Sequence, residues 1–325
     1  MAIANRVDVD RFVAEGYLVV DNAVDPELDL DPVVAEYEKL LDELATKWHA
    51  EGKLPSAYAD LPFGERLSRI IQHPGANYYS HLDIALPQAG VREDTPIHLG
   101  PATFNMLRSP RLLDAVEQIV GPEIFSNPIQ HVRIKPPERF VPDAHRNALT
   151  AQTDWHQDQG VALPEADETP ILTVWLPVFD APVEAGCLQV VPASHREGLA
   201  THCPSRASTG KGTLHIPDEL LGGDPVAVPM KRGQALFMHR RTKHASLRNV
   251  SDDIRWSFDL RFHAVGLPTG RPAFPGFVAR SRSNPASELT DAQIWADMWR
   301  GARSRLALIN MGKFNRWEGG QQICA

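Results

Sequence analysis

The stretch RWSFDLRFH, residues 255–263, alternates strictly between apolar and polar side chains. Successive side chains of a β-strand point to opposite faces, so this alternation predicts a strand with one apolar and one polar face. In a one-sided sheet the polar face is solvated. In a barrel wrapped by helices, the apolar face packs beneath the helices and the polar face lines a cavity. That polar face carries Arg255, Ser257, Asp259, Arg261 and His263.

Short runs rich in β-branched and aromatic residues precede this strand from about residue 124, and turn residues separate them. Strands at such a spacing predict an all-β core, either a sandwich or a barrel. Helical periodicity of apolar residues marks 31–50, 110–120 and roughly 288–307. We therefore expect one domain over residues 1–325. It has a helical N-terminal part (about 1–122), a β core (about 124–265) and a helical C-terminal extension (about 266–325).

The bulk composition excludes several classes of function. A hydrophobic content of 43% and a charged content of 23% are ordinary for a globular protein. The formal net charge of -8 argues against nucleic-acid binding, which needs a basic surface. No apolar run approaches the roughly 18 residues that span a bilayer, so we expect no membrane partner. The three cysteines are far apart and form no CxxC pair, which predicts reduced thiols and a cytoplasmic location.

The segment TDWHQDQG, residues 153–160, places His156 and Asp158 two positions apart. In a strand these two side chains share a face. A second histidine on a neighbouring strand would complete two imidazoles and one carboxylate around a metal, the arrangement suited to Fe(II) enzymes that also bind a cosubstrate and O2. By itself the pair is weak evidence, because a surface His–Asp hydrogen bond has the same spacing.

The downstream segment HASLRNVSDDIR, residues 244–255, supplies the missing context. His244 precedes a turn-like stretch, and a hairpin there would bring Arg255 alongside His244. An arginine fork binds a carboxylate through two hydrogen bonds, and Ser257 on the same face adds another. The pattern thus predicts a site for a metal and a dicarboxylate cosubstrate.

At this point the chain resembles the phytanoyl-CoA dioxygenase family of Fe(II)- and 2-oxoglutarate-dependent oxygenases. The resemblance covers most of the β core, in order along the chain. Its blocks are FVAEGYLVVDNAV (12–24), IKPP (134–137), HQD (156–158), AGCLQVVPASH (185–195), RGQALFMH (232–239), HAS (244–246) and RWSFDLRF (255–262). The resemblance implies a double-stranded β-helix, the jelly-roll or cupin-like fold, wrapped by N- and C-terminal helices.

The resemblance also implies roles for individual residues. His156, Asp158 and His244 match the catalytic iron ligands, and Arg255 matches the arginine that holds the distal carboxylate of 2-oxoglutarate. Further contacts to the cosubstrate are expected from Gln157, Trp175 and Ser246. Strand parity adds Thr173 and Ser257, which share a face with Trp175 and Arg255.

The expected activity is hydroxylation, or a related oxidation, of an unactivated C–H bond in a small metabolite or natural-product intermediate, with Fe(II), 2-oxoglutarate and O2 yielding succinate and CO2. Family members that halogenate lack the carboxylate that Asp158 provides, which favours hydroxylation. His131 and Arg133 share a strand face and are expected either to touch cosubstrate or an anionic substrate, or to lie in a solvated rim. The alternatives are an acyl-CoA hydroxylase of the same family, a cupin-like metalloprotein without 2-oxoglutarate chemistry, and a binding protein that has kept only the fold.

Overall fold

Helices dominate the N-terminal third of the chain. The computed structural model describes residues 6–147, 149–204, 214–309, 316–317 and 322–324. A short strand, β1 (Tyr17–Val20), interrupts the helical part, and a π-helical turn (Pro26–Leu30) follows it. The helices are α1 (Val9–Glu15), α2 (Asp31–Ala50), α3 (Phe63–Ile70), α4 (Tyr78–Leu82), α5 (Pro101–Leu107) and α6 (Pro110–Val120).

The two long N-terminal helices agree with the apolar periodicity of the sequence. In α2 the buried residues recur every three or four positions, as Val33, Tyr37, Leu41, Leu44 and Trp48 do, so one face packs on the core. Helix α6 begins at a proline, whose missing N–H is not needed in the first turn. It ends at a glycine with a φ of 96°. The helices predicted at 31–50 and 110–120 are confirmed.

The rest of the described chain is mostly antiparallel β-structure. Its strands are β2 (Glu123–Ser126), β3 (His131–Lys135), β4 (Leu172–Pro177), β5 (Leu188–Val190), β6 (Cys203–Pro204), β7 (Leu214–His215), β8 (Val226–Val228), β9 (Ala235–His239), β10 (His244–Ser246), β11 (Arg255–Ala264) and β12 (Phe277–Ser281). A helical turn, α7 (Asp158–Val161), precedes β4, and α8 (Ala292–Ile309) follows β12.

Two sheets face each other to form the core. The larger sheet has the order β1-β9-β4-β11-β2-β12, and β3 also pairs with β11. The smaller sheet has the order β10-β5-β8. An apolar cluster that includes Trp175, Leu188, Val190, Leu236 and Met238 joins residues of both sheets. This arrangement is a jelly-roll core with helices around it, so the predicted fold class is confirmed.

Strand β11 shows how the alternation of the sequence positions the site. Trp256, Phe258, Leu260 and Phe262 belong to the large core cluster, which also contains residues of α2, α5, α6 and α8. The odd-numbered residues face the other way, toward the smaller sheet. The apolar face of the strand is therefore covered by helices, and its polar face lines the interior.

Two local expectations are wrong. The segment after residue 265 is not simply a helical extension, because β12 joins the larger sheet beside β2 before α8 begins. Residues 244–255 do not form a hairpin ladder either. Strand β10 pairs with β5 in the smaller sheet, whereas β11 lies in the larger one. His244 and Arg255 therefore approach from opposite sheets.

The cysteines also differ from the expectation of reduced thiols. Cys203 in β6 forms a disulfide with Cys324, and Cys187 is a buried free thiol. The partners are 121 positions apart in the sequence, and nothing local in the sequence indicates that they meet. Because reduced thiols supported the cytoplasmic expectation, the disulfide removes that support. Among the described residues, every helix is too short or too polar to cross a membrane.

Replacing Cys324 with serine is expected to lower the free energy of unfolding by about 3–5 kcal/mol, since the disulfide closes a long loop and restricts the unfolded chain. Thermal melts of the oxidised proteins measure the difference. The double variant Cys203→Ser, Cys324→Ser should be no less stable than the single one. Counting three reactive thiols, instead of one, in the denatured and unreduced wild-type protein would contradict the pairing.

Candidate metal centre

Three potential ligands converge between the two sheets. One ligand atom from each of His156, Asp158 and His244 lies within 4.8 Å of the others. Asp158 Oδ1 is 3.8 Å from His156 Nε2 and 4.0 Å from His244 Nε2. Two imidazoles and a carboxylate on one side of a shared point are the donor set of a non-haem Fe(II) site with open positions.

Backbone pairing brings the two histidines together. The N–H of each donates to the carbonyl of the other, at 2.9 and 3.0 Å. Gln157 is extended, and Asp158 begins the helical turn α7. His156 and Asp158 therefore share a face, as expected, although only His156 lies in a strand-like bridge.

Each histidine ring is held in one orientation by its other nitrogen. His156 Nδ1 donates to the Asp154 carbonyl at 2.8 Å, and His244 Nδ1 donates to the Thr242 carbonyl at 2.9 Å. In the neutral ring a protonated Nδ1 leaves the Nε2 lone pair free. Such backbone partners orient histidine ligands in many metal sites. The donor set and its orientation fit a divalent iron.

The protonation states also suit metal binding. Burial, together with the neighbouring His244, lowers the pKa of His156 to about 3, so the ring is neutral at physiological pH. Burial alone would raise the pKa of Asp158, but Arg261 and the two histidines hold it well below its usual range. A neutral imidazole and an ionised carboxylate are the forms that bind a metal.

Two residues of the larger sheet hold the Asp158 carboxylate. Thr173 Oγ1 donates to one carboxylate oxygen and Arg261 Nη2 donates to the other. Arg261 is itself anchored to the Ile129 carbonyl at 2.8 Å. Thr173 was expected to contact a cosubstrate, and the structure instead places its hydroxyl on Asp158.

A second group of cations lies beside the same cavity. Arg255 and Lys135 are direct cross-strand partners on β11 and β3, and each is 2% exposed. Arg255 Nη1 donates to Ser257 Oγ at 2.5 Å, and its guanidinium lies 5.6 Å from the Trp175 ring centroid. Arg255 Nε has no hydrogen-bond partner among the described residues. An unsatisfied buried guanidinium group is suited to an incoming carboxylate.

Lys135 is the second cation of this group, and the part of the site that holds Arg255 and Lys135 is called its cationic end. Its Nζ donates to Thr153 Oγ1 at 2.8 Å and to Ser246 Oγ at 3.1 Å. Burial, with Arg255 and Arg133 nearby, lowers the pKa of Lys135 well below its usual range. Arg255 and Lys135 thus concentrate positive charge beside the cavity, and a dianionic ligand would relieve the repulsion between them.

The depressed pKa of Lys135 predicts a pH dependence of stability. Between the folded pKa and the unfolded value, the unfolded chain binds more protons, so the stability rises with pH through that window. Lys135→Met removes this contribution. We expect the stability advantage of Lys135→Met over the wild type, in the absence of 2-oxoglutarate, to shrink from pH 7 to pH 10 in urea unfolding. A pH-independent difference would contradict the prediction.

The structure brings most of the other expected site residues to the cavity. Trp175 and Ser246 line it, and Ser257 supports Arg255 from the same strand. Arg133 lines the cavity and pairs with Asp259. His131 lies farther out, with its Nδ1 2.9 Å from Asp83 Oδ2.

Gln157 does not reach the cavity. It is fully buried, and its amide donates to the carbonyls of Gly198 and Arg241 at 2.8 and 2.6 Å. Its side-chain oxygen accepts from the Ala200 N–H. Because it lies between two residues that face inward, its side chain points outward. The expectation of a cosubstrate contact is wrong for this geometry.

Several polar residues of the site were not assigned roles from the sequence. Thr153, Asp259 and Arg261 line the cavity, and Lys135 donates to Thr153. Strand parity offered a signal for Asp259 and Arg261, which share the polar face of β11, and for Lys135, two positions after Arg133. Thr153 lies in an irregular segment, where no period predicts the direction of a side chain.

The comparisons with known proteins agree with this site. The family model described as phytanoyl-CoA dioxygenase matches residues 12–257, about three quarters of the chain. The chain belongs to the phytanoyl-CoA dioxygenase family. Membership confirms the resemblance seen in the sequence, and with it Fe(II) and 2-oxoglutarate as the cofactors of the chemistry.

Individual relatives are distant. The phytanoyl-CoA dioxygenase domain-containing protein 1 of Danio rerio is 23% identical over 277 residues, which cover 78% of this chain and 88% of that protein. Its Mus musculus counterpart is 32% identical over 98 residues, covering 28% and 32% of the two chains. The solved structure of ThoJ, a non-haem monooxygenase without ligands, is 17% identical, covers 93% of this chain and 99% of its own, and has a TM-score of 0.54. At this identity the ThoJ structure supports the fold.

Proposed function

We propose that this phytanoyl-CoA dioxygenase family member hydroxylates an unactivated C–H bond of a small metabolite or natural-product intermediate. The proposal assigns the iron to His156, Asp158 and His244, and the far carboxylate of 2-oxoglutarate to Arg255. The observation that carries it is that a His–Asp–His cluster and the buried Arg255 line one cavity.

When bound, the iron with 2-oxoglutarate and O2 supplies the oxidising power, and succinate and CO2 are the co-products. The protein holds the ligands and excludes water. The backbone carbonyls of Asp154 and Thr242 keep the two Nε2 atoms directed at Asp158. Arg261 and Thr173 keep the carboxylate ionised and fixed. These contacts preorganise three ligands that would otherwise need to be ordered on binding.

The cationic end selects the cosubstrate. Arg255 and Lys135 lie on adjacent strands and offer N–H donors to one carboxylate, with Ser257 holding the guanidinium in place. Leu188 and Met238 line the same cavity and keep part of its wall apolar. In such a water-poor environment charge-assisted hydrogen bonds are strong. A monocarboxylate such as pyruvate, which lacks the distal group, would not use these donors.

The carboxylate of Asp158 supports oxygenation over halogenation. Thr173 holds one of its oxygens, and Arg261 holds the other, which faces both histidines. The carboxylate would therefore take the position that a halide ligand needs. Hydroxylation is therefore the proposed outcome. An acyl-CoA hydroxylase remains the alternative within the family, because family membership does not decide the substrate.

An anaerobic titration of the metal-free protein with Fe(II) and 2-oxoglutarate tests the proposal. We expect a visible metal-to-ligand charge-transfer band that requires both components. Succinate release under air, with a panel of metabolites, then identifies the substrate class. A folded protein that binds Fe(II) but develops no band with 2-oxoglutarate would exclude the proposal and favour a cupin-like metalloprotein.

A further inference from the structure

The helical turn α7, which begins with the metal ligand Asp158, is too short to hold itself in place. It spans four residues, and the last carbonyls of a helix have no partners within the helix. An isolated helix of this length is also unstable in water. The position of Asp158 therefore depends on the groups that bind the carbonyls of the turn from outside.

Two residues near the C-terminus supply donors to those carbonyls. Trp317 Nε1 donates to the Gly160 carbonyl at 2.8 Å. Arg316 Nη1 donates to the Gln159 carbonyl at 3.0 Å. The guanidinium of Arg316 is itself fixed by Asp167, which accepts through both carboxylate oxygens at 2.7 and 2.6 Å. Arg316 and Trp317 thus cap the turn and are called the capping residues.

The segment that leads into β6 contacts the same turn. His202 Nε2 accepts a hydrogen bond from the N–H of Gln157 at 2.9 Å, and Gln157 lies between two metal ligands in the sequence. The His202 ring is buried and stacks on Trp317, with the ring centroids 5.0 Å apart. A Cβ at Gly160 would lie 2.4 Å from His202 Cε1, so the backbone of the turn packs directly against this ring. His202 therefore contacts both the turn and one of its capping residues.

A disulfide joins the two segments that contact the turn. Cys203 directly follows His202, and it is bonded to Cys324, which follows the capping residues in the chain. With the disulfide open, only the part of the chain that leads from α8 would tether the capping residues to the protein. A second tether raises the effective concentration of a binding group at its site. The contact of the capping residues with α7 therefore depends on the disulfide.

We propose that Arg316 and Trp317 are positioning residues, which hold the metal ligand Asp158 in place through α7, and that the Cys203–Cys324 disulfide puts this positioning under redox control. The inference rests on the proposed function, because Asp158 acts through the metal. With the disulfide closed, the turn is capped and Asp158 stays beside both histidines. Reduction releases the capping residues, and the affinity of the site for Fe(II) falls.

A dithiol is the class of reductant that fits this disulfide. Cys203 is 2% exposed and Cys324 is half-buried, so the accessible sulfur is that of Cys324. A thiolate of the reductant attacks this sulfur and forms a mixed disulfide, while Cys203 leaves as a thiolate and takes up a proton. The second thiol of the reductant then displaces Cys324 as a thiol. Two electrons pass to the protein, and the reductant becomes a disulfide.

Hydrogen exchange and Fe(II) binding, compared between the oxidised and the reduced protein, test the proposal. Dithiothreitol reduces the full chain and is removed by anaerobic gel filtration before either measurement. In the metal-free protein, the amides of residues 156–162 should exchange about tenfold or more faster after reduction, because local opening of the turn becomes easier. Exchange in the short helix α4 is the internal reference and should not change. The Kd for Fe(II) should rise about tenfold or more, the scale of losing an outer-shell partner of a metal site.

A double-mutant cycle separates this role from that of a purely structural disulfide. The variant Arg316→Gln, Trp317→Ala loses the capping donors but keeps both cysteines. Its Kd for Fe(II) in the oxidised state should already be raised, and reduction should raise it further by less than about threefold, because coupled changes are not additive. The variant Cys203→Ser, Cys324→Ser should behave as the reduced protein and should not respond to dithiothreitol. The matched control is Arg300→Gln, at an exposed arginine of α8, and it should change neither the Kd nor its redox dependence.

The outcomes separate this inference from the proposed function. An Fe(II) affinity that is the same in the oxidised and reduced protein overturns the redox control. An equal response of the wild type and of Arg316→Gln, Trp317→Ala to reduction, or equally faster exchange in α4, overturns the role of the capping residues. If the charge-transfer band with 2-oxoglutarate is absent from the oxidised wild type, the proposed function fails, and the exchange and Fe(II) measurements still decide the inference. Should the reduced protein not stay folded, the oxidised variant Trp317→Phe, which loses only the donor to Gly160, carries the test, and an unchanged Kd for Fe(II) there overturns the positioning role.

Discussion

Replacing His244 with alanine is expected to abolish stoichiometric Fe(II) binding and to lower 2-oxoglutarate turnover by more than about a hundredfold. Loss of an outer-shell partner of a metal site typically costs about 10- to 100-fold, so loss of a ligand should exceed that range. Only His156 and Asp158 would remain, and Arg261 already binds the Asp158 oxygen that faces both histidines. Metal analysis after anaerobic gel filtration, together with succinate release, measures both effects.

His239→Ala is the matched control for this prediction. His239 lies five residues earlier, and its ring faces His195 at a centroid distance of 5.0 Å instead of the metal cluster. The same substitution there should leave Fe(II) stoichiometry intact. If His244→Ala kept one equivalent of iron and normal turnover, the assignment of the metal centre would be wrong. If both variants lost iron, the effect would be one of folding, which circular dichroism would show.

Replacing Arg255 with alanine is expected to raise the Kd for 2-oxoglutarate by at least about 30-fold with Fe(II) stoichiometry unchanged. Truncating one partner of a buried charge pair typically costs about 2–5 kcal/mol, and 2 kcal/mol corresponds to about 30-fold in Kd. Arg255 is buried, and its Nε has no hydrogen-bond partner among the described residues. The charge-transfer band, titrated with 2-oxoglutarate at saturating Fe(II), measures the change.

Arg255→Lys and Arg280→Ala calibrate the result. A lysine keeps the charge but not the planar fork, so the Kd should rise less than in Arg255→Ala. Arg280 pairs with Asp114 and Glu117 and is not among the described residues that line the metal cavity, so its loss should leave the Kd unchanged. A Kd for 2-oxoglutarate in Arg255→Ala equal to that of the wild type would show that Lys135 alone, or another group, binds the carboxylate.

Arg255 can be predicted at the site from the local sequence, whereas Lys135 cannot. The parity of residues 255–263 already predicts that Arg255, Asp259 and Arg261 share one face. Lys135 joins them only because β3 pairs with β11 in a register that sets Lys135 opposite Arg255. The register between two strands depends on packing across the whole sheet, so the alternation of side chains within one strand does not predict it.

Gln157 and Thr173 show the limits of transferring roles by position. Both were expected to contact the cosubstrate, but in the structure both side chains bond to protein groups around the site. Gln157 holds the loop carbonyls of Gly198 and Arg241, and Thr173 holds the Asp158 carboxylate. Position along the chain predicted which residues lie near the metal ligands. The hydrogen-bond partners of each side chain depend on the neighbouring segments that pack against it.

The amino-acid sequence by itself determined the fold class, the two faces of β11, the long helices α2 and α6, and the identity of the His–Asp–His cluster. Each of these depends on a short period or a short motif, and such signals survive without knowledge of the partner strands. Tertiary structure alone decided that His244 and Arg255 approach from opposite sheets, that β12 extends the larger sheet, and that Cys203 pairs with Cys324. These are contacts between segments far apart in the chain, set by the packing of whole sheets and helices, and no local pattern of side chains encodes them.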